Sequence, residues 1–441
     1  MVRLGNALVG WILGQMESLP IELLRLDRFG GAPMRILDAV YGEQEAEEVR
    51  ALLNRPTDAG RSPNTVLLPG LMGSLLASVR GISAMLWVNP TVITDGHINL
   101  LDLSDDGRHD RSPDVEIVPV GIEKLSYLKL ILALSRASRL YEFPYDWRKH
   151  LEYNARLLRT SIRRWAGANP GRRFVLVGHS LGGMLARTYL ALYPDEAERY
   201  VERIVLIASP LLGAAVTVLA FTGESAAGQL VARLGPGNDV VGFVRNLPVS
   251  YQLLPPPADL FCSDRPYPFN WDPYDAAAWG FEGVRQDYLD DAARLHRRLA
   301  AIGPPVEIVQ IAGCHQNTIT DVHAAMGEVA GTSSFERMAQ ECGADSGDGV
   351  VPLWSACCEG VPTYYVEEVH QTMPGNARVI DAVLRLVQGD EPDLPTALPE
   401  PSRLLNRLSS VPLVQQAAEL KQRIESGEFR REDLIKLFFA H

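Results

Sequence analysis

The chain is short of most features that would mark a specialised scaffold. It holds five cysteines in 441 residues: Cys262, Cys314, Cys342, Cys357 and Cys358. The number is odd, two are vicinal and no spacing suits zinc, so neither a disulfide framework nor a metal site is expected. Free, mostly buried thiols are the reading. Positive charge is also short, with 42 Lys and Arg against 54 Asp and Glu, a net charge of -12 and a pI near 5.3. No basic cluster offsets this, which argues against a nucleic-acid partner. It also disfavours electrostatic docking on an anionic membrane, leaving only apolar contact at a membrane periphery. No apolar run reaches the roughly 18 residues of a membrane span. Met1 to Gln15 carries one Arg and a short apolar run, Ala7 to Leu13, without a small-x-small cleavage site, so a cytoplasmic location is expected. Internal repeats and low-complexity tracts are lacking too. No metal or other cofactor is called for, and nothing fixes an oligomeric state.

What is present is ordinary globular material: 46% hydrophobic and 22% charged residues. The length suits one large domain with insertions, or two domains, and allows a sizeable core. Residues 1–60 read as a helical extension, with Ala, Val and Leu at helical spacing over Glu43 to Asn54. Residues 61–210 read as the first part of a core. Its apolar strands are Thr65 to Leu68, Arg139 to Phe143, Phe174 to Val177 and Ile204 to Ala208. Helices are expected over Tyr127 to Ser138, His150 to Ala166 and Met184 to Tyr193, and the Asp- and Gly-rich stretch after Gly70 reads as irregular. Residues 211–302 break the rhythm with Gly, Pro and aromatics, as a cap or lid insertion would. The rhythm resumes over 303–389, with strands Val306 to Ala312 and Thr363 to Val366 and a helix from Ala377 to Val387. Residues 390–441 are a Pro- and acid-rich linker and a helical tail. Alternating strands and helices predict an α/β fold with a mostly parallel, doubly wound sheet.

Chemistry is concentrated in Gly178-His179-Ser180-Leu181-Gly182-Gly183. This is G-x-S-x-G between an apolar strand and a helix, the setting in which a serine is held as a nucleophile at the top of a parallel sheet. Such a serine needs a base and a carboxylate to orient it. The order Ser, Asp, His is offered by Ser180, by Asp348 in the turn Ser346-Gly-Asp-Gly, and by His370 just after the strand Thr363 to Val366. Asp348 has Asp321 and Asp345 as substitutes, should its turn be only a surface turn. His315 is the rival to His370, and His179 reads as a neighbour rather than a base. An oxyanion hole would use the N–H of Leu181 and that of Leu71, in the loop Pro69 to Ser74. Met72, Met85, Leu86 and Trp87 are either an acyl-binding wall or ordinary core.

Several motifs together resemble the lecithin:cholesterol acyltransferase-like α/β-hydrolases, which include phospholipid:diacylglycerol acyltransferases and related phospholipases. Val66 to Ser74 resembles that family's PG-x-x-GS loop, and Leu86 to Pro90 its tryptophan segment. Phe143-Pro-Tyr-Asp-Trp-Arg148 resembles its YDWR motif, and Gly347-Asp-Gly-Val-Val-Pro-Leu-Trp-Ser355 its acid turn. Ser209-Pro210 with Gly213, and Tyr251 to Pro255, follow the same order. The resemblance spans roughly Asn64 to Leu386. It implies an α/β-hydrolase fold and a Ser180–Asp348–His370 triad forming an acyl-enzyme on long-chain lipid esters, such as phospholipids or acylglycerols. It also implies that Asp146 and Arg148 are a buried structural pair and that Trp147 supports the site beside Met72 and Trp87. The loop Ile311 to Thr318 departs from the family pattern.

The expected function is hydrolysis of a lipid ester, or transfer of its acyl group to an alcohol acceptor. A soluble carboxylesterase acting on small or unusual esters is the first alternative. A non-catalytic lipid-binding or scaffold protein is the second.

Overall fold

A computed structural model describes residues 32–56, 63–81, 84–168, 171, 173–263, 265–301, 303, 305–324, 335–338, 347–358 and 360–401. It also describes positions 419, 422, 423, 431, 433 and 435. The apolar run Ala7 to Leu13, Cys342 and Asp345 lie outside the described residues.

The apolar runs form a six-stranded sheet, all pairs parallel: β1 (Asn64–Leu68), β5 (Arg139–Glu142), β6 (Phe174–His179), β7 (Val201–Ile207), β8 (Glu307–Gly313) and β11 (Thr363–Val366). The order is β5-β1-β6-β7-β8-β11. Side chains alternate across it with period two. Leu67, Val175, Val177, Val205, Ile207, Val309 and Ile311 point to one face. There they meet helices Lys124–Ala137 and Ala377–Gln388. Val66, Leu68, Leu176, Ile204, Leu206 and Ile308 point to the other, under helices Leu151–Ala168 and Leu181–Leu192. Burial on both faces explains why these strands read as continuous apolar runs. The helices start on built caps. Glu123 accepts the Ser126 N–H at 2.9 Å, and Asn376 accepts those of Arg378 and Val379 at 2.8 and 3.2 Å, each worth about 1 kcal/mol.

The stretch after Gly70 is more ordered than its composition suggests. It contains an antiparallel sheet of β2 (Ser74–Ser78), β3 (Ala84–Trp87) and β4 (Ile117–Ile122), in the order β3-β2-β4. The strands are short and β2 is irregularly registered against both partners. Pro119 also stands inside β4. The period-two signal is therefore broken in each. A second small pair, β9 (Asp321–Ala324) and β10 (Phe335–Met338), is antiparallel.

Residues 211–302 carry short helices, among them Thr217–Thr222, Ala226–Leu234, Val240–Arg245 and Pro248–Gln252, and end in the longer Gln286–Ala301. Their aromatics form a core of their own: Phe221, Tyr251 and Trp279 are fully buried, and Phe261 and Trp271 pack against them half-buried. Helix Ala32–Asn54 is interrupted at Gly42 (φ 74°). Its second half, the expected Glu43 to Asn54 segment, buries Ala46, Val49 and Leu53. The proline-rich run after Gly389 lies along the sheet edge, where the Tyr365 N–H donates to the Pro395 carbonyl. Of the thiols, Cys314 is buried, Cys357 and Cys358 are half-buried and Cys262 is exposed. The expectation of mostly buried thiols is thus corrected at Cys262, which follows the short turn Ala258–Leu260 on the surface. No helix among the described residues is long and apolar enough to cross a membrane.

Candidate active site

The strand order changes direction between β1 and β6: β5 lies beyond β1 on one side, and β7, β8 and β11 follow β6 on the other. Open parallel sheets bind ligands at such a switch point, beyond the carboxyl ends of the strands. Here the ends are level, with Leu68 opposite Gly178. The loop Pro69 to Gly73 and Ser180 therefore stand side by side.

Ser180 sits between β6 and helix Leu181–Leu192 with φ 52° and ψ -122°, a conformation sparsely populated by L-residues. The turn survives because its neighbours have no side chains in the way. A Cβ on Gly178 would lie 2.7 Å from the Gly183 nitrogen, and one on Gly182 would lie 2.2 Å from the Leu68 carbonyl oxygen. The result lifts the Ser180 hydroxyl above the sheet and places the Leu181 N–H at the start of a helix, where first-turn amides lack intrahelical acceptors.

His370 follows β11 and reaches back over β8 and β7. Its Nε2 is 2.9 Å from Ser180 Oγ, and its Nδ1 is 2.7 Å from Asp348 Oδ2. The Asp348 carboxylate is fixed from its other oxygen, which accepts the N–H groups of Val350 and Val351 at 3.0 and 2.7 Å. The His370 N–H donates to the Asp348 carbonyl at 2.9 Å. The departing loop Ile311 to Thr318 props this turn: the Gly349 N–H donates to Thr318 Oγ1 at 2.8 Å, and the Gln316 N–H to the Gly347 carbonyl at 2.9 Å. The turn needs glycine at Gly347, where φ is 146° and a Cβ would meet the Val351 carbonyl at 2.2 Å. The rivals lie elsewhere. The His315 ring is 2.8 Å from the Pro399 carbonyl, and Asp321 accepts from Thr320.

The loop carrying Leu71 is braced by the YDWR segment. Tyr145 donates its hydroxyl to the Pro69 carbonyl at 2.8 Å, its N–H donates to Ser74 Oγ at 3.0 Å, and Trp147 Nε1 donates to the Ser74 carbonyl at 3.2 Å. Trp87 Nε1 donates to the Met72 carbonyl at 2.8 Å, and its ring meets Trp147 edge-on at 5.5 Å. Beneath them Arg148, wholly buried, forks onto Asp146 at 2.9 and 2.8 Å. It also donates to the Leu101 carbonyl at 2.9 Å and pairs with Asp110 at 2.9 Å. Burial is the largest single influence on Asp146 and opposes its ionisation, but the Arg148 charge, the Arg148 hydrogen bonds and Lys149 together outweigh it and hold the carboxyl below its ordinary value.

Ser180 and His370 open into a cavity of about 320 Å³ with mostly apolar walls. Leu71, Met72, Trp87 and Trp147 line its core side, and Thr217, Val231, Val240 and Phe243 of the 211–302 segment line the opposite side. Leu86 is buried and Met85 half-buried in the main core instead.

Residues 133–275 match the family model described as lecithin:cholesterol acyltransferase. The match covers about a third of the chain and shows a likeness to that family over this segment. That match takes in the YDWR brace and Ser180 and ends before Asp348 and His370. Among solved structures, the chain is similar to one in the Tle4–Tli4 complex. The identity is 16% and the TM-score 0.50, over 74% of this chain and 98% of that one. That likeness shows the α/β-hydrolase fold. It is also similar to Bacillus licheniformis lipase BlEst2 in its mature form (13% identity, 76% of this chain and 95% of that one, TM-score 0.37). A third is the metagenomic carboxyl esterase MGS0156 (17%, 72% and 68%, TM-score 0.33). No curated protein matches the sequence.

Two groups near Ser180 escaped the sequence reading. Tyr127 Oη lies 2.6 Å from His179 Nδ1, and His179 Nε2 lies 3.2 Å from the His370 carbonyl. Glu123 is fully buried at the head of the same helix, beside a small cavity of about 30 Å³ that Ser180 and His370 also line. Burial pushes its carboxyl up to about 7, against the pull of the Ser126 N–H. Only the helical spacing around Tyr127 was visible in sequence. Its neighbours across the sheet depend on the strand order.

Proposed function

We propose that this protein is a serine-dependent hydrolase or acyltransferase acting on lipid esters through an acyl-enzyme on Ser180. One observation carries the reading: the Ser180–His370–Asp348 hydrogen-bond chain at the mouth of an apolar cavity of about 320 Å³. An acyl chain fits such walls, because each buried methylene contributes about 0.8 kcal/mol. The lecithin:cholesterol acyltransferase match over residues 133–275 supports the same substrate class.

In the first half-reaction Ser180 Oγ attacks the acyl carbonyl while His370 Nε2 takes its proton. Asp348 accepts from His370 Nδ1, fixing the tautomer and stabilising the imidazolium. The tetrahedral oxyanion is received by the N–H groups of Leu181 and Leu71. As the intermediate collapses, the C–O bond to the alcohol breaks and His370 returns the proton to the leaving oxygen. In the second half-reaction His370 deprotonates water or a lipid hydroxyl, which attacks the Ser180 ester and releases the acyl group. Residues 211–302 serve as the cap. Met72, Trp87 and Trp147 hold the first carbons of the chain. Asp146 and Arg148 keep the Leu71 loop in place and take no part in proton transfer.

A fluorophosphonate probe tests this directly. Wild type is expected to be labelled at Ser180 and Ser180→Ala to stay unlabelled. Absence of labelling on the folded wild type would sink the proposal. A series of p-nitrophenyl esters then tests the cavity. Each added methylene is expected to raise kcat/KM by up to about fourfold until the cavity fills. A profile highest at the acetyl ester would instead favour a small-ester carboxylesterase.

A further inference from the structure

The oxyanion loop and the base loop come from different parts of the sheet. The first follows β1. The second follows β11 at the edge, with β6, β7 and β8 between. Acyl transfer requires donors and base to be held at once around a single carbonyl, and a misplacement of about 1 Å can cost about 100-fold in rate. A continuous line of hydrogen bonds connects the two loops beneath Ser180.

The line starts at the Gly70 N–H, which donates to Tyr127 Oη at 2.8 Å. Tyr127 Oη is 2.6 Å from His179 Nδ1, and His179 Nε2 is 3.2 Å from the His370 carbonyl oxygen. Its two ends fix the direction. A backbone N–H can only donate and a carbonyl oxygen can only accept. His179 therefore carries its proton on Nε2, its Nδ1 accepts, and Tyr127 donates to it. Burial raises the Tyr127 phenol above its ordinary value, which keeps that proton in place. Helix Lys124–Ala137 holds the other end of the same loop as well, because the Glu123 N–H donates to the Gly73 carbonyl at 3.1 Å. His370 is thus held at three points: its ring by Asp348, its N–H by the Asp348 carbonyl, and its carbonyl by His179.

We propose that Tyr127 and His179 are positioning residues, a one-way hydrogen-bond relay that sets the distance between the oxyanion loop at Gly70 and the base loop at His370. The relay rests on the reading of Ser180 as nucleophile, but its polarity is a property of the folded chain alone. Neither residue exchanges a proton with substrate. The effect of each passes through the placement of the Leu71 N–H and His370.

Two measurements test it on the full chain. Nitrogen-15 NMR of histidine-labelled protein, with His179→Gln assigning the resonance, reads the tautomer. A neutral ring protonated at Nε2 is expected. A proton on Nδ1 reverses or breaks the line and overturns the proposal whether or not the protein is active. Stopped-flow acylation with a chromogenic ester, normalised to fluorophosphonate-titrated sites, reads the positioning. Tyr127→Phe and His179→Leu are each expected to slow acylation by about 10- to 100-fold with KM unchanged. The double variant should be no slower than the slower single. His179→Gln offers an amide oxygen to Tyr127 and an amide N–H to His370, and should stay within about threefold of wild type. A purely structural role would lower the number of titrated sites and leave the rate per site unchanged. That result in Tyr127→Phe, with wild type fully labelled, refutes the relay and spares the proposed function. An unlabelled wild type refutes the function instead.

Discussion

The pairing of Asp146 with Arg148 allows a quantitative test of whether the YDWR segment is a brace or part of the chemistry. Replacing Asp146 with Leu removes two hydrogen bonds at 2.9 and 2.8 Å from a guanidinium with no exposure to solvent. Breaking a buried pair from one side costs about 3–5 kcal/mol, because the charge left behind is uncompensated. Arg148 keeps Asp110 at 2.9 Å and the Leu101 carbonyl at 2.9 Å, so the lower end, about 3 kcal/mol, is the expected cost. That is about a 150-fold change in the folding equilibrium. Arg148→Met should cost a similar amount, since it strips Asp146 of its main partner and leaves it Lys149 at 3.3 Å and the backbone N–H of residue 148 at 3.2 Å. The double variant, Asp146→Leu with Arg148→Met, places two apolar groups of similar volume in the same space. Buried pairs replaced in this way are often neutral, but Asp110 still loses Arg148, so the double should cost about 3 kcal/mol where the singles sum to about 6, a coupling energy of about 3 kcal/mol. Urea unfolding followed by tryptophan fluorescence gives the four stabilities. The fluorophosphonate rate per folded molecule should stay within about tenfold of wild type in all four. Two results would refute the reasoning. One is additive costs below about 1 kcal/mol each. The other is a fully folded Asp146→Leu that no longer labels.

Two other positions give sharp expectations. Glu123 has its folded value raised from 4.5 to about 7. The native state therefore holds a proton that the unfolded state loses first. Stability is full below pH 4.5, falls as pH rises to about 7, and is then lower by about 3 kcal/mol. Glu123→Gln should flatten that slope, which urea midpoints at pH 5 and pH 8 will show, and parallel slopes would disprove it. Gly182→Ala should yield little folded protein or a loss of about 3 kcal/mol or more. Its Cβ would press to 2.2 Å on the Leu68 carbonyl and 2.6 Å on that of Pro69, both backbone atoms that cannot rotate away. Circular dichroism melting measures this, and a Tm equal to wild type would count against the packing described at the turn.

How much could be read from sequence depended on how local each cause was. The strands of the parallel sheet were legible because both faces are buried, so Phe174 to Val177 and Ile204 to Ala208 stand out as unbroken apolar runs. The Ser180 turn was legible because its glycines and its strand and helix are consecutive. Asp348 and His370 were named from chain order, and the structure brings them to 2.7 Å of each other. β2, β3 and β4 were not legible, since bulges and Pro119 interrupt the alternation that would reveal them. Nor did the sequence separate the aromatics of 211–302 by depth: Trp279 is fully buried, whereas Phe261 and Trp271 pack half-buried against the same core. Tyr127 looked like any helical residue. Its contact with His179 spans 52 positions and exists only because β1 and β6 are neighbours.

The edge position of β11 has a consequence for synthesis. Ser180 and the imidazole beside it are 190 residues apart. At about 5–20 residues per second, a ribosome delivers the serine roughly 10–40 s before the histidine. Through that interval β1, β5, β6 and β7 can already assemble, and the nascent chain carries its strained serine turn with no general base to activate it. On the proposed mechanism, reactivity toward esters switches on only when the final strand docks.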